Sequence, residues 1–148
     1  MRSGTSTHAA TGDVWIADVG ERDREEINVV PAGASGQNFG WYWFEGTRDR
    51  GFANVPPGVR FTSPVFEYGR TDGVAVIGGA VYHGTAIPDL RGAYVFADMS
   101  GPFFAYGREG GTRLPLRGTG PITGFVETPE RELLVLTLRN GVFRLLPG

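Results

Sequence analysis

Apolar residues along this chain fall in short runs bounded by glycine, proline and acidic residues, and the runs carry the period of strands rather than of helices. Val14-Trp15-Ile16-Ala17 is continuous between Asp13 and Asp18, the pattern of a strand covered on both faces. A charged turn from Glu21 to Glu26 then leads into Ile27-Asn28-Val29-Val30, which Pro31, Gly33, Ser35 and Gly36 bring to an end. The same reading predicts strands at 13–18, 26–30, 64–68, 75–82, 93–98, 103–106, 122–127, 133–138 and 142–146. No helical period outlasts two turns.

Many short strands separated by Gly/Pro turns predict an all-β sandwich, barrel or propeller. A repeated form favours the propeller. Gly12–Asp18, Gly92–Asp98 and Glu132–Thr137 each give a turn residue, an apolar run and a small polar stop, and they begin 80 and then 40 residues apart. Those steps fit two units and one unit of an architecture whose repeat is roughly 40–50 residues. A blade between two neighbours is covered on each side, so a Leu or Val in 133–138 gains about 1.5–3 kcal/mol only where another blade lies against it. At that repeat length 148 residues make about three blades, with 12–148 as the propeller portion and 1–11 as a ragged N-terminal segment.

Composition narrows the function classes. Twenty-four Gly and ten Pro would suit disorder in a polar chain, but ten Phe, five Tyr and three Trp supply a core. A net charge of −2 without a basic run speaks against a nucleic-acid surface. With no cysteine there is neither a disulfide framework nor a thiolate site. No apolar stretch approaches the roughly 20 residues of a membrane span, and residues 1–11 lack the apolar core of a signal peptide. The two histidines, His8 and His83, read as surface or turn residues, and no catalytic residue is assigned. Trp41-Tyr42-Trp43-Phe44 is open to two readings, sugar stacking at a loop mouth or packing between blades with alternate rings on opposite faces, and alternation favours packing.

Gly12–Trp41 contains Trp15-Ile16-Ala17-Asp18-Val19-Gly20, Glu25-Glu26-Ile27-Asn28 and Asn38-Phe39-Gly40-Trp41. Downstream come Glu45-Gly46-Thr47, Ser63–Tyr68, Gly78–Gly84 and Ile87–Asp98. In this order and spacing the set resembles the soluble sugar dehydrogenases that use pyrroloquinoline quinone, the glucose/sorbosone dehydrogenase family.

The resemblance implies a six-bladed β-propeller of which this chain is the C-terminal part. Three blades leave open faces, so it also implies a partner: an N-terminal propeller half preceding Met1, or a second copy of this chain. The implied activity is oxidation of an aldose, the sugar substrate, by hydride transfer from its anomeric carbon while a histidine base takes the hydroxyl proton; in the family that histidine lies upstream of the stretch matched here. Implied cofactors are calcium and the quinone. Backbone carbonyls of Gly20 and Glu21 match those holding the calcium that bridges to the quinone, and Glu26 with the Phe39 carbonyl matches a structural calcium site. Positions aligned with the family's quinone-binding cations, Met99-Ser100 and Pro121-Ile122-Thr123, are uncharged, and Arg113 and Arg117 are the nearby substitutes. The family suggests a periplasmic or extracellular location. The alternative is a non-catalytic, calcium-stabilised propeller that binds a partner or glycan.

Overall fold

The computed structural model describes residues 2–52, 54–117 and 120–147. Its strands are β1 (Arg2–Thr7), β2 (Val14–Asp18), β3 (Arg24–Val30), β4 (Phe44–Glu45), β5 (Arg48–Asp49), β6 (Phe66–Gly69), β7 (Val76–Val81), β8 (Tyr94–Asp98), β9 (Pro102–Gly107), β10 (Gly110–Arg117), β11 (Ile122–Glu127), β12 (Leu133–Thr137) and β13 (Gly141–Arg144), with one 3₁₀ turn at Pro88–Leu90. They form three antiparallel sheets in the orders β1-β2-β3-β6, β7-β8-β9-β10 and β11-β12-β13, plus the small hairpin β4-β5. The leading strands lie side by side, β1 on β7 and β7 on β11, and each completed sheet hands the chain to the first strand of the next. This is the progression of consecutive propeller blades, with the ring left open.

β8 shows why the apolar runs are continuous. All five of its residues are buried. Tyr94 and Phe96 pack with Ala17, Ile27, Tyr68 and Phe104 on the side of the first sheet. Val95 and Ala97 pack with Ile122, Leu133 and Val135 on the side of the third. A strand clamped between two sheets has no solvent face to mark with polar residues. The first sheet carries the complementary lesson: Ala17 and Ile27 enter the shared core, so Ile16, Glu26 and Asn28 point to its other face. Among the described residues the third sheet has a neighbour on one face only, and Val126, Leu138, Val142, Phe143 and Leu146 are exposed.

Three elements depart from the expectation. Residues 2–7 are not ragged: they form β1, paired with β2 from Thr7↔Val14 to Arg2↔Asp18. That polar sequence holds its place through backbone pairing and close approach, since a Cβ on Gly78 would meet Gly4 Cα at 3.2 Å and Ala17 Cβ at 3.3 Å. β10 was hidden by Gly110, Gly111 and Pro115. It is an edge strand paired only with β9, where a missing N–H costs no ladder bond. The β4-β5 hairpin is too short to carry a period.

Candidate functional site

The β2–β3 turn is shaped by a carboxylate from elsewhere in the chain. Glu45 Oε1 accepts the backbone N–H groups of Arg22 at 2.8 Å, Asp23 at 2.6 Å and Arg24 at 2.9 Å. Burial alone would raise the pKa of Glu45, but these N–H groups, with Arg70, hold it below the ordinary glutamate value. Gly20 is required here, because a Cβ would collide with the Arg24 carbonyl and with Glu45 Oε1. Arg70 ties the turn to the next blade. Its Nη2 donates to the Gly20 carbonyl at 2.9 Å and its Nε to the Arg22 carbonyl at 2.9 Å, while its Nη1 donates to the Val74 carbonyl at 2.6 Å and pairs with the buried Glu25. Glu25 also accepts the Val76 N–H at 2.8 Å, and burial still raises its pKa.

Behind this turn lies a cleft of about 340 Å³ lined by Asp18, Val19, Gly20, Glu26, Phe39, Trp41 and Glu45. Glu26 is its chemical centre. Desolvation pushes its pKa up to about 7, with Asp18 and Glu67 adding to the rise and Asn28 and the Gly46 N–H opposing it. Glu26 Oε2 and Glu45 Oε2 are buried and have no hydrogen-bond partner; the Asn28 amide lies close enough to Glu26 to lower its pKa but makes no hydrogen bond of good geometry. A buried carboxylate oxygen without a donor is costly, and either a proton or a cation removes the cost. Among the described residues, no three His, Cys, Asp or Glu side chains gather into a metal cluster. A calcium ion here would therefore take most of its oxygens from carbonyls and water.

The fold thus brings Gly20, Glu26 and Phe39 onto one cleft. Glu21 is outside that lining, and its carboxylate pairs with Arg50. A second cleft, of about 400 Å³, is lined on one side by Arg70, Thr71, Asp72, Gly73 and Val74 and on the other by Ser100, Gly101, Pro102 and Arg113. Arg113 and Ser100 therefore line one cleft. Arg117 falls outside the residues whose side chains are described. The aromatic cluster does not alternate as a strand, because 41–43 is a turn. Trp43 and Phe44 pack on Phe61, whereas Trp41 is 60% and Tyr42 46% exposed, and the Arg50 guanidinium stacks 4.4 Å from the Trp41 ring.

A family model described as glucose / sorbosone dehydrogenase matches residues 2–106. The chain belongs to that family. Its fold agrees with solved structures that bear related names. A crystal structure of glucose dehydrogenase superposes with a TM-score of 0.73 at 20% identity, covering 99% of this chain and 45% of that one. The apo-form of the soluble aldose sugar dehydrogenase from Escherichia coli gives 0.68 at 20% identity, covering 97% of this chain and 43% of that one. The PQQ-bound form of aldose sugar dehydrogenase from Streptomyces coelicolor gives 0.65 at 17% identity, covering 92% of this chain and 36% of that one. This glucose/sorbosone dehydrogenase family member thus spans less than half the length of these structures.

Within this family member, the resemblance named Glu26 and Phe39, and both line the cleft. Sequence reasoning placed Glu45 and Asn28 in motifs without giving either a role, and it passed over Arg70.

Proposed function

We propose that this chain forms the calcium-holding part of a sugar dehydrogenase propeller that oxidises an aldose at its anomeric carbon when the remaining blades complete the ring. The observation that carries the reading is that Glu26 and Glu45, which line one cleft with Gly20 and Phe39, each keep a buried Oε2 without a hydrogen-bond partner. Glu26 is the proposed calcium ligand, joined by the Phe39 carbonyl and water. Pyrroloquinoline quinone, when bound, supplies the hydride-accepting chemistry. The chain's own contribution to holding such a tricarboxylate is Arg113, which lines the second cleft with its guanidinium 3.8 Å from the Asp72 carboxylate. A sugar substrate and a periplasmic or extracellular location belong to the same reading. No helix among the described residues is long and apolar enough to cross a membrane.

Calorimetric titration of the chelator-treated protein with calcium tests the site. One calcium bound per chain, with affinity lowered at least tenfold in Glu26→Gln, supports it; no binding, or equal binding by the variant, refutes it. Dye reduction by the protein joined to its remaining blades, with quinone, calcium and an aldose, tests the activity. Calcium binding without any dye reduction would favour the second reading, a calcium-stabilised binding propeller, for which the exposed Trp41 and Tyr42 offer a glycan-stacking surface.

A further inference from the structure

The chain's only two histidines, 75 residues apart in sequence, meet in space. His8 lies in the β1–β2 turn and His83 just beyond β7, so they join adjacent blades at the end of the sheets opposite the Glu26 cleft. Their Nε2 atoms are 3.0 Å apart, their rings are within 4° of parallel, and their centroids are separated by 5.0 Å.

The neighbouring hydrogen bonds fix the proton on His8. Thr11 Oγ1 donates its single proton to Asp13 Oδ2 at 2.7 Å, so toward His8 Nδ1, at 2.6 Å, the hydroxyl accepts. His8 therefore carries its proton on Nδ1 and turns the Nε2 lone pair toward His83. Asp13 is anchored in turn, its Oδ1 accepting the Ala32 N–H at 2.9 Å. A carboxylate acting through a hydroxyl on the far nitrogen of an imidazole is the kind of outer-shell support that orients metal-ligating histidines.

We propose that His8 and His83 form a two-imidazole site for a nitrogen-preferring divalent transition-metal ion, such as zinc, nickel or copper, which bolts the β1–β2 turn to the blade that begins with β7. Two imidazoles on one tetrahedral ion at about 2.0–2.1 Å place their nitrogens roughly 3.3–3.4 Å apart, so the pair needs to open by only a few tenths of an ångström. The proton that His83 Nε2 donates in the metal-free pair moves to its Nδ1, leaving both rings neutral and both Nε2 lone pairs on the ion. Water fills the remaining positions. Calcium, a hard cation that seeks oxygen, is excluded by the same chemistry, so this site is separate from the one at Glu26.

Because the chain has no cysteine and no other histidine, untagged protein gives a clean test. Paramagnetic resonance of one equivalent of Cu²⁺ is expected to show coupling to two imidazole nitrogens, and zinc is expected to raise the melting temperature. His83→Gln should lose one nitrogen coupling and at least tenfold in copper affinity, and His8→Gln/His83→Gln should lose both couplings and the zinc response. Near-ultraviolet circular dichroism of each metal-free variant, expected to match the parent, confirms that the fold is intact. Absence of nitrogen coupling in the parent, or an unchanged spectrum in the folded double variant, overturns the proposal.

Discussion

Asp98 and Glu26 are both buried carboxylates at strand positions of adjacent blades, and they are treated in opposite ways. Asp98 Oδ2 receives Tyr68 Oη at 2.8 Å, the Val74 N–H at 2.9 Å and the Ala75 N–H at 2.8 Å, and its Oδ1 receives both the N–H and the hydroxyl of Ser100. Every donor belongs to a loop or strand that it fastens, so its charge is used up in architecture. Glu26 is nearly as enclosed, yet Oε2 has no donor and its proton is held up to about 7. One carboxylate finds donors for both oxygens within the chain; the other keeps one oxygen that no donor reaches. Burial does not distinguish these two acids, whereas the tally of donors does.

The largest expected effect that tests this contrast comes from the fully satisfied side. Arg70→Met leaves the buried Glu25 without its counter-charge and the Gly20, Arg22 and Val74 carbonyls without their donor. Removing one partner of a buried pair costs on the order of 3–5 kcal/mol, measurable by urea denaturation; a loss below about 1 kcal/mol would show that solvent screens the pair. Asp98→Asn replaces an acceptor with an amide that cannot receive the same N–H groups, and the expected loss is about 2–4 kcal/mol in the same experiment.

Glu26→Gln should behave in the reverse sense. The folded pKa of Glu26, about 7, lies above its ordinary value of 4.5, so the folded state binds the extra proton between those values. Calcium-free stability is then highest below the lower value and declines as pH rises through about 7, by up to roughly 3 kcal/mol. Glu26→Gln should flatten that decline and make the calcium-free protein more stable at pH 8. Saturating calcium should flatten it in the parent as well, and a parent profile that is flat without calcium would remove Glu26 from the comparison. The smallest effect is reserved for Trp41→Ala, whose ring is mostly exposed. Stability should change by less than about 0.5 kcal/mol, so any loss of glycan binding in that variant would report on recognition alone.

The strands of the inner sheets were legible because a ribbon buried on both faces, such as Tyr94–Asp98, writes an unbroken apolar run into the sequence. β1 and β10 were illegible for the complementary reason. Ser3-Gly4-Thr5-Ser6 and Gly110–Arg117 are held by ladder bonds to one neighbour, and hydrogen bonds made by the backbone leave little trace in side-chain pattern. The site divides along the same line. Glu26 and Phe39 sit in short local motifs, but Glu45 acts on residues 21 to 23 positions earlier and Arg70 on a carbonyl 50 positions away. Asp98 was visible only as the polar stop ending an apolar run, which identified its position and none of its bonds.

The three N–H groups gathered on Glu45 carry a consequence for anyone who would transplant this turn. With its amides committed inward, the segment from Arg22 to Arg24 owes its contour to a side chain two dozen positions downstream. A graft of residues 19–24 onto another scaffold carries no memory of that contour unless the hairpin bearing residue 45 travels with it.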